Sequence, residues 1–160
     1  MHTIPLEIFG QLLLAVALGA IIGLERRLAH KSAGMRTFAM VSLGAALFSI
    51  ISTLLFAQFG QAASFDPSRM ASQIIVGIGF LAGGMIIFQH QHIEGLTTSA
   101  GLWVAGGIGM AVGFRLYAIA VFTAFLLLIV FEVFNAMERR LVDGIGKHKL
   151  HQHDGHDHQY

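Results

Sequence analysis

Residues 37–59 read TFAMVSLGAALFSIISTLLFAQF and contain no charged side chain. A helix needs about 20 apolar residues to cross the hydrocarbon core of a bilayer. This stretch therefore predicts a transmembrane helix, and four other stretches have a similar composition. The predicted spans are Leu6–Leu24, Thr37–Phe59, Met70–Phe88, Thr98–Gly113 and Leu116–Met137.

The composition of the chain supports this fold class. Of its 160 residues, 55% are hydrophobic and 12% are charged, whereas soluble domains carry about 25% charged residues. We therefore predict an all-α integral membrane protein with five transmembrane helices. The first span follows a leader without Lys or Arg and begins beside Glu7, so we expect it to be retained rather than cleaved as a signal peptide.

The sequence carries no signature of a catalytic site. Cysteine is absent, which excludes disulfides and thiolate metal sites. The chain has no Walker loop, no H-E-x-x-H and no G-x-S-x-G, and its G-x-G pairs lie inside a predicted span. We predict that the protein is not an enzyme, needs no cofactor and binds no nucleic acid.

The positions of the basic residues predict the orientation. Four lie between spans one and two, at residues 26–36, and four follow span five, at residues 139–149. Only Arg69 and Arg115 fall on the other side of five spans. The positive-inside rule then places the amino terminus outside and the carboxy-terminal tail in the cytoplasm.

Small residues recur at four-residue spacing in three of the spans. In lipid, such stripes let helix backbones approach closely, so we expect spans one, three and four to form a tight bundle. Span five has phenylalanines instead and should be an outer, lipid-facing helix. The stripes are Ala15, Gly19 and Gly23; Gly79 and Gly83; and Gly101, Ala105, Gly109 and Gly113.

Span three has a readable start and an unusual interior. Asp66 should cap the helix, because proline follows it at the first helical position. The segment Gly77–Gly84 contains four glycines in eight residues, and glycine weakens a helix. Either neighbouring helices approach closely here, or the backbone breaks and lines a cavity.

Ionisable residues near the ends of the spans are the candidates for function. Glu25 and Arg36 should lie together, because spans joined by a short connection are antiparallel neighbours. A carboxylate and a guanidinium there would form an ion pair. Arg27 and Lys31 fit ordinary interfacial anchors better. Glu132, within span five, is either functional or close enough to water to snorkel.

The end of the chain is rich in histidine. Imidazole and carboxylate groups bind divalent transition metals, but an irregular His-rich tract predicts weak binding rather than a defined site. We expect residues 1–140 to form the membrane domain and residues 141–160 a disordered cytoplasmic tail. The candidate metal ligands are His148, His151, His153, His156 and His158.

Five motifs in order resemble the MgtC/SapB family. Together they cover the predicted membrane domain from Leu6 to Phe134, and the combination is far more specific than any one of them. The motifs are Gly23-Leu24-Glu25-Arg26, Ala33-Gly34-Met35-Arg36-Thr37, Asp66-Pro67-Ser68-Arg69, Gly77-Ile78-Gly79-Phe80-Leu81 and Gly95-Leu96-Thr97-Thr98-Ser99-Ala100 with Trp103.

The chain also departs from the pattern of that family. Arg27 stands where the family has a second acidic residue, which argues against a carboxylate pair at this position. Ala82-Gly83 has the reverse of the usual Gly-Ala order of the family, and Glu94 stands where a basic residue is common in the family. Longer members carry a soluble carboxy-terminal domain, so functions of that domain are not expected here.

The resemblance implies a protein of the bacterial inner membrane, linked to magnesium limitation, that regulates another membrane complex. Its partners would be the lipid bilayer and another membrane protein or a second copy of itself. The alternatives are a small oligomeric ion channel or transporter, and a scaffold without a ligand. The candidate site residues are Glu25, Arg26, Gly34, Arg36, Thr37, Asp66, Arg69, Gly77, Gly79, Phe80, Gly83, Gly84, Gly95, Thr97, Thr98 and Trp103.

Overall fold

The structure, a computed structural model, describes residues 6–59, 66–89 and 92–153. The side chains of residues 67, 89 and 138–153 are outside the description. Five helices and one hairpin make up the described chain. They are α1 Leu6–Leu28, α2 Met35–Phe59, α3 Pro67–Gly83, β1 Ile87–Gln89, β2 His92–Glu94, α4 Leu96–Gly113 and α5 Tyr117–His153.

The prediction of an all-α membrane protein is confirmed. Four helices (α1, α2, α4 and the stretch Tyr117–Met137 of α5) are long and apolar enough to cross a membrane. α3 has 17 residues and is the shortest of the five. Many large apolar side chains on these helices are exposed, as expected for a protein whose helices are surrounded by lipid.

α2 lies at the centre of the bundle and packs against α1, α3 and α4. The sequence predicted that α1, α3 and α4 would pack on one another, and this was wrong for α1 and α3. The glycine stripe of α1 faces α2 instead. A Cβ atom placed on Gly19 would lie 2.6 Å from the carbonyl oxygen of Phe38, and one on Gly23 would lie 2.6 Å from the Cα of Met35.

α4 packs against both α2 and α1, and it runs in the same direction as α2. A Cβ atom on Gly109 would overlap the carbonyl oxygen of Ser42, and one on Gly113 would lie 2.6 Å from that of Ala46. α2 and α4 are therefore parallel, whereas α1 is antiparallel to α2. The carboxyl end of α1, the amino ends of α2 and α4 and the hairpin all lie at one end of the bundle, which we name the basic end.

α3 ends five residues earlier than predicted. The helix stops at Gly83, and Met85 and Ile86 donate backbone hydrogen bonds to Ala82 and Gly83 in a tighter turn. The chain then forms the antiparallel hairpin in which Phe88 pairs with Ile93. Gly95 closes the base of the hairpin with φ +89°, and any Cβ there would overlap the carbonyl oxygen of Met85. The predicted loop is therefore a hairpin that only glycine can close.

α1 and α4 end in the same way, with a residue other than glycine in the left-handed conformation. His30 has φ 55° and Arg115 has φ 63°. After α1, Lys31 donates to the carbonyl of Arg26 and His30 to that of Arg27, which is a Schellman ending. At the end of α4, the backbone N–H of Leu116 donates to the carbonyl of Ala111 and that of Arg115 to the carbonyl of Val112, in the same pattern. Both connections turn the chain sharply into the next helix.

Residues 1–127 form one compact unit and residues 128–160 form another. In the first unit, Phe122 and Phe125 of α5 are exposed, as predicted for an outer helix. In the second unit, Phe131 is buried. The backbone of α5 is helical to His153. The division into a membrane domain, residues 1–140, and a disordered tail, residues 141–160, stays a prediction.

Candidate functional site

The basic end contains an ion pair between consecutive residues of α1. The Nε and Nη2 atoms of Arg26 donate to the two carboxylate oxygens of Glu25. The side chain of Arg26 is 2% exposed and that of Glu25 is 13% exposed. Arg26 continues the buried stripe of Ala15, Gly19 and Ile22 on the face of α1. The pair is therefore built into the bundle, where its bidentate geometry offsets the cost of burying two charges.

Arg36 does not complete this pair, contrary to the prediction. Its side chain is exposed at the start of α2. Within the described ranges, the ion pairs join Arg26 to Glu25 and Arg115 to Glu7, and Arg36 belongs to neither. The ends of α1 and α2 do adjoin, because a Cβ atom on Gly23 would lie 2.7 Å from the carbonyl oxygen of Gly34. Arg36 is nonetheless on the outer face of α2.

Gly34 and the threonines of α4 line the same end of the bundle. Gly34 lies between α1 and α2, and its Cβ position is 3.5 Å from the Cβ of Arg27. At the start of α4, Thr98 is buried and Thr97 is exposed. Gly83 and Gly84 end α3 on this side, where no side chain packs on a Cβ position of either. The motifs of the connections between helices therefore meet at the basic end.

Asp66 and Arg69 lie at the opposite end. Asp66 caps α3 as predicted, accepting from the backbone nitrogen of Ser68 at 2.9 Å and from its hydroxyl at 2.7 Å. The Ser68 hydroxyl, the Ser68 N–H and the nearby charge of Arg69 hold the pKa of Asp66 below its usual value. The sequence placed these residues in a motif separate from those of Glu25 and Arg36, and in the fold the two groups lie at opposite ends of α3.

Two polar contacts at this opposite end were missed from the sequence. Glu7 of α1 accepts from the guanidinium of Arg115 at 3.0 Å and from the hydroxyl of Tyr117 at 3.2 Å. One helical turn deeper, the buried side-chain amide of Gln11 donates to the carbonyls of Val112 and Gly113. The sequence feature that could have predicted the contact of Gln11 is that it is a polar residue within an otherwise apolar span.

A groove separates α2 from α3, and several candidate residues line it. The walls include Thr37, Gly44 and Phe48 on α2 and Gln73 and Gly77 on α3, while the side chain of Leu102 on α4 lies along its bottom. Its volume is about 760 Å³. Only Thr37 and Gln73 bring polar side chains to its lining. At Gly77 neither of the two expectations for the Gly77–Gly84 segment holds as made: no neighbouring helix packs on Gly77, and α3 stays helical there, although Gly77 lines the groove.

The outer face of α3 carries no packed neighbour within the described residues. Cβ atoms placed on Gly79 and Gly83 would meet nothing within 4 Å. Phe80, between them, is 82% exposed. The prediction that Gly79 packs inside this bundle was wrong. Trp103 of α4 is half-exposed and lines a smaller cleft with Ile75 and Gly107.

The histidine-rich tail cannot be placed as a site. The side chains of His148, His151 and His153 are outside the description, as are residues His156 and His158. In the part of the chain that the structure describes, no three His, Asp or Glu side chains form a group that could hold a metal ion. Metal binding by the tail stays a prediction.

Comparison with known proteins identifies relatives of the whole bundle. Residues 12–140 match the MgtC family. The chain is 40% identical over 134 residues to a protein of Escherichia coli strain K12 named "Putative magnesium transporter YhiD", covering 82% of the chain and 62% of the relative. It is 38% identical over 129 residues to Protein MgtC of Brucella abortus strain 2308, covering 80% of the chain and 50% of the relative.

A further relative, an uncharacterized protein of Haemophilus influenzae, is 42% identical over 112 residues, which cover 68% of the chain and 47% of the relative. The chain thus spans about half to two thirds of the length of these curated relatives. No solved structure matches the chain.

Proposed function

Because this chain belongs to the MgtC family, we propose that it is a regulatory protein that binds another membrane protein and acts in magnesium homeostasis. It is a multi-pass protein of the bacterial inner membrane, as its relatives and its apolar helices show. We propose no catalytic activity. The link to magnesium rests on the name of the Escherichia coli relative.

The uncovered face of α3 is the observation that carries partner binding. Within the bundle, two glycine stripes each receive a neighbouring helix, at Gly19 and at Gly109. Gly79 and Gly83 have the same four-residue spacing, but no helix of the described chain lies against them. Small residues permit close helix contact in lipid. We propose that a transmembrane helix of the partner occupies this face.

The interior of the bundle argues against an ion pathway. Among the residues whose side chains are described, Arg26 is the one buried charged side chain, and it is paired with Glu25. The α2–α3 groove is lined mostly by apolar side chains. Selective ion conduction uses rings of carbonyls or charged side chains. A regulator therefore fits the described residues better than a channel.

The name of the Escherichia coli relative nonetheless favours a transporter as the second candidate. Purified protein in liposomes should then carry a magnesium flux above that of protein-free liposomes. No such flux is expected for a regulator. A saturable flux that Glu25→Gln abolishes would replace the regulatory proposal with the transport one.

Substitutions on the outer face of α3 test partner binding. Gly79→Leu and Gly83→Leu should not lower the melting temperature in detergent, because a side chain there meets open space. Both should reduce the growth at low magnesium that the wild-type chain restores to a deletion strain. The matched control is Gly107→Leu, an open position on α4.

Site-specific cross-linking in native membranes from residue 80 should give one adduct for the wild type that Gly83→Leu removes. An adduct with the mass of two copies of this chain would assign the face to homo-oligomerisation. Normal growth and an unchanged adduct in both leucine variants would contradict the proposal.

A further inference from the structure

The α2–α3 groove runs along the bundle to the basic end. Its lining on α2 extends from Phe48 to Thr37, which is about 17 Å at 1.5 Å per residue. On α3 the lining extends from Met70 to Met85, which is about 22 Å. The groove therefore runs from the basic end past the middle of a hydrocarbon core about 30 Å thick.

The size and the lining of the groove suit a hydrocarbon chain. The groove has about 760 Å³, within the range of about 300–1,000 Å³ for sites that hold one small ligand. Ala45, Ile78 and Leu102, all buried, form its apolar floor. A flexible apolar chain would cover this floor without moving α3.

The mouth of the groove at the basic end offers partners for an anion. Thr37 lines it with a hydroxyl group. Arg36 is exposed one residue earlier, and it is one helical turn from Met40, which also lines the groove. Arg27 and Lys31 are exposed at the same end. Guanidinium groups bind phosphate oxygens in a bidentate manner.

The geometry points to a bound anionic phospholipid, with one acyl chain in the α2–α3 groove and its phosphate at Arg36 and Thr37. This site is separate from the partner face at Gly79 and Gly83, since neither of those residues lines the groove. Lipid binding in the groove and partner binding on the outer face of α3 are therefore independent: loss of one leaves the other in place.

Two glycine substitutions on α3 separate the groove from the outer face. Gly77→Leu puts a side chain into the groove, whereas Gly79→Leu puts one outside it, and both positions have open space around the Cβ. Gly44→Leu blocks the groove from the opposite wall and provides a second variant if α3 is disturbed. Circular dichroism melting verifies that each variant is folded.

The measurement is native mass spectrometry of the full chain, incubated in detergent with equal amounts of phosphatidylglycerol and phosphatidylcholine. The wild type should retain one phosphatidylglycerol about tenfold more often than phosphatidylcholine. Gly77→Leu and Gly44→Leu should lower retention about tenfold, and Gly79→Leu should not. Arg36→Gln should equalise the two lipids, while Arg69→Gln, at the far end of α3, should keep the preference.

Equal retention by Gly77→Leu and Gly79→Leu would overturn the inference. So would equal binding of the two lipids by the wild type, which indicates an adventitious lipid only. A dimer mass that Gly77→Leu removes would overturn it as well, by assigning the groove to a second copy of the chain.

Discussion

The side-chain amide of Gln11 on α1 donates a hydrogen bond to the backbone carbonyl of Val112 on α4, with a nitrogen–oxygen distance of 2.9 Å. The same nitrogen lies 3.3 Å from the carbonyl oxygen of Gly113. The last carbonyls of a helix have no partner within the helix. A residue that is 101 positions away therefore caps α4, and it does so at a depth where water cannot substitute.

Replacement of Gln11 should weaken the contact between α1 and α4. In Gln11→Leu the carbonyl of Gly113 loses the side-chain donor, while that of Val112 keeps the backbone N–H of Arg115. Loss of a donor to a buried carbonyl costs about 1–3 kcal/mol. We expect a lower melting temperature in detergent. Gln58→Leu, an exposed position on α2, is the control and should have little effect. Equal melting temperatures for the two variants would show that the cap does not stabilise the bundle.

A double-mutant cycle distinguishes the observed ion pair from the predicted one. Loss of one partner of a buried pair costs up to about 3–5 kcal/mol, because the other charge is stranded. Glu25→Ala and Arg26→Ala should therefore combine less than additively in unfolding free energy. Glu25→Ala and Arg36→Ala should be additive, since Arg36 is exposed. Coupling in the second cycle and additivity in the first would restore the original assignment.

Alanine at two glycines should have opposite effects on stability. A Cβ on Gly109 overlaps the backbone of Ser42, which cannot move without separating α2 from α4. Gly109→Ala should destabilise the bundle by about 1–3 kcal/mol. Gly79→Ala meets nothing within 4 Å and should raise stability by up to about 1 kcal/mol through helix propensity. Thermal unfolding of both variants in one detergent gives the comparison; loss of stability in both would contradict it.

The cap of α3 predicts a dependence on pH. The pKa of Asp66 is held below its usual value by the two hydrogen bonds from Ser68. The ionised cap therefore stabilises α3 fully above the unfolded-state pKa, and this stabilisation is lost as the pH falls through the lower, folded-state pKa. The difference in melting temperature between wild type and Asp66→Ala should shrink on acidification. Ser68→Ala removes the hydroxyl donor to Asp66. When Asp66→Ala is made in this Ser68→Ala background, the difference in melting temperature that it causes should shrink at a higher pH than in the wild-type background.

The tail prediction remains open to a direct measurement. Imidazole groups at His148, His151, His153, His156 and His158 should bind zinc weakly. Deletion of residues 148–160 should leave the melting of the membrane bundle unchanged. Calorimetry with zinc should show heat of binding for the full chain and none for the truncated chain. Identical titrations would end the metal hypothesis for this tract.

Much of the fold follows from the sequence because the bilayer imposes simple rules. Apolar length predicted helices at the positions of α1, α2, α4 and α5, and it predicted the end of α4 at Gly113. The cap at Asp66 was predictable from the proline beside it, since this signal is local. The end of α3 could not be predicted, because Met85–Phe88 are as apolar as the helix itself. These residues enter a hairpin because the chain has to close on Gly95.

The arrangement of the helices was harder to predict than their existence. A glycine stripe indicates that something packs closely, but it does not identify the neighbour. α2 was overlooked as the central helix because it presents its serines and alanines, such as Ser42 and Ala46, to the glycines of other helices. The pairing of Glu25 with Arg26 rather than Arg36 depends on which face of α2 is outermost, and the packing of the whole bundle decides this.

The parallel alignment of α2 and α4 has a consequence for the membrane itself. Two parallel neighbours need one return crossing between them, and α3 is that crossing. Its 17 residues rise about 26 Å, which is less than the hydrocarbon thickness of about 30 Å. The bilayer must therefore thin beside α3, or the polar termini of α3 must be drawn inward. This hydrophobic mismatch makes the conformational energy of the protein depend on the thickness of the surrounding bilayer, and so on the lipid composition of the cell.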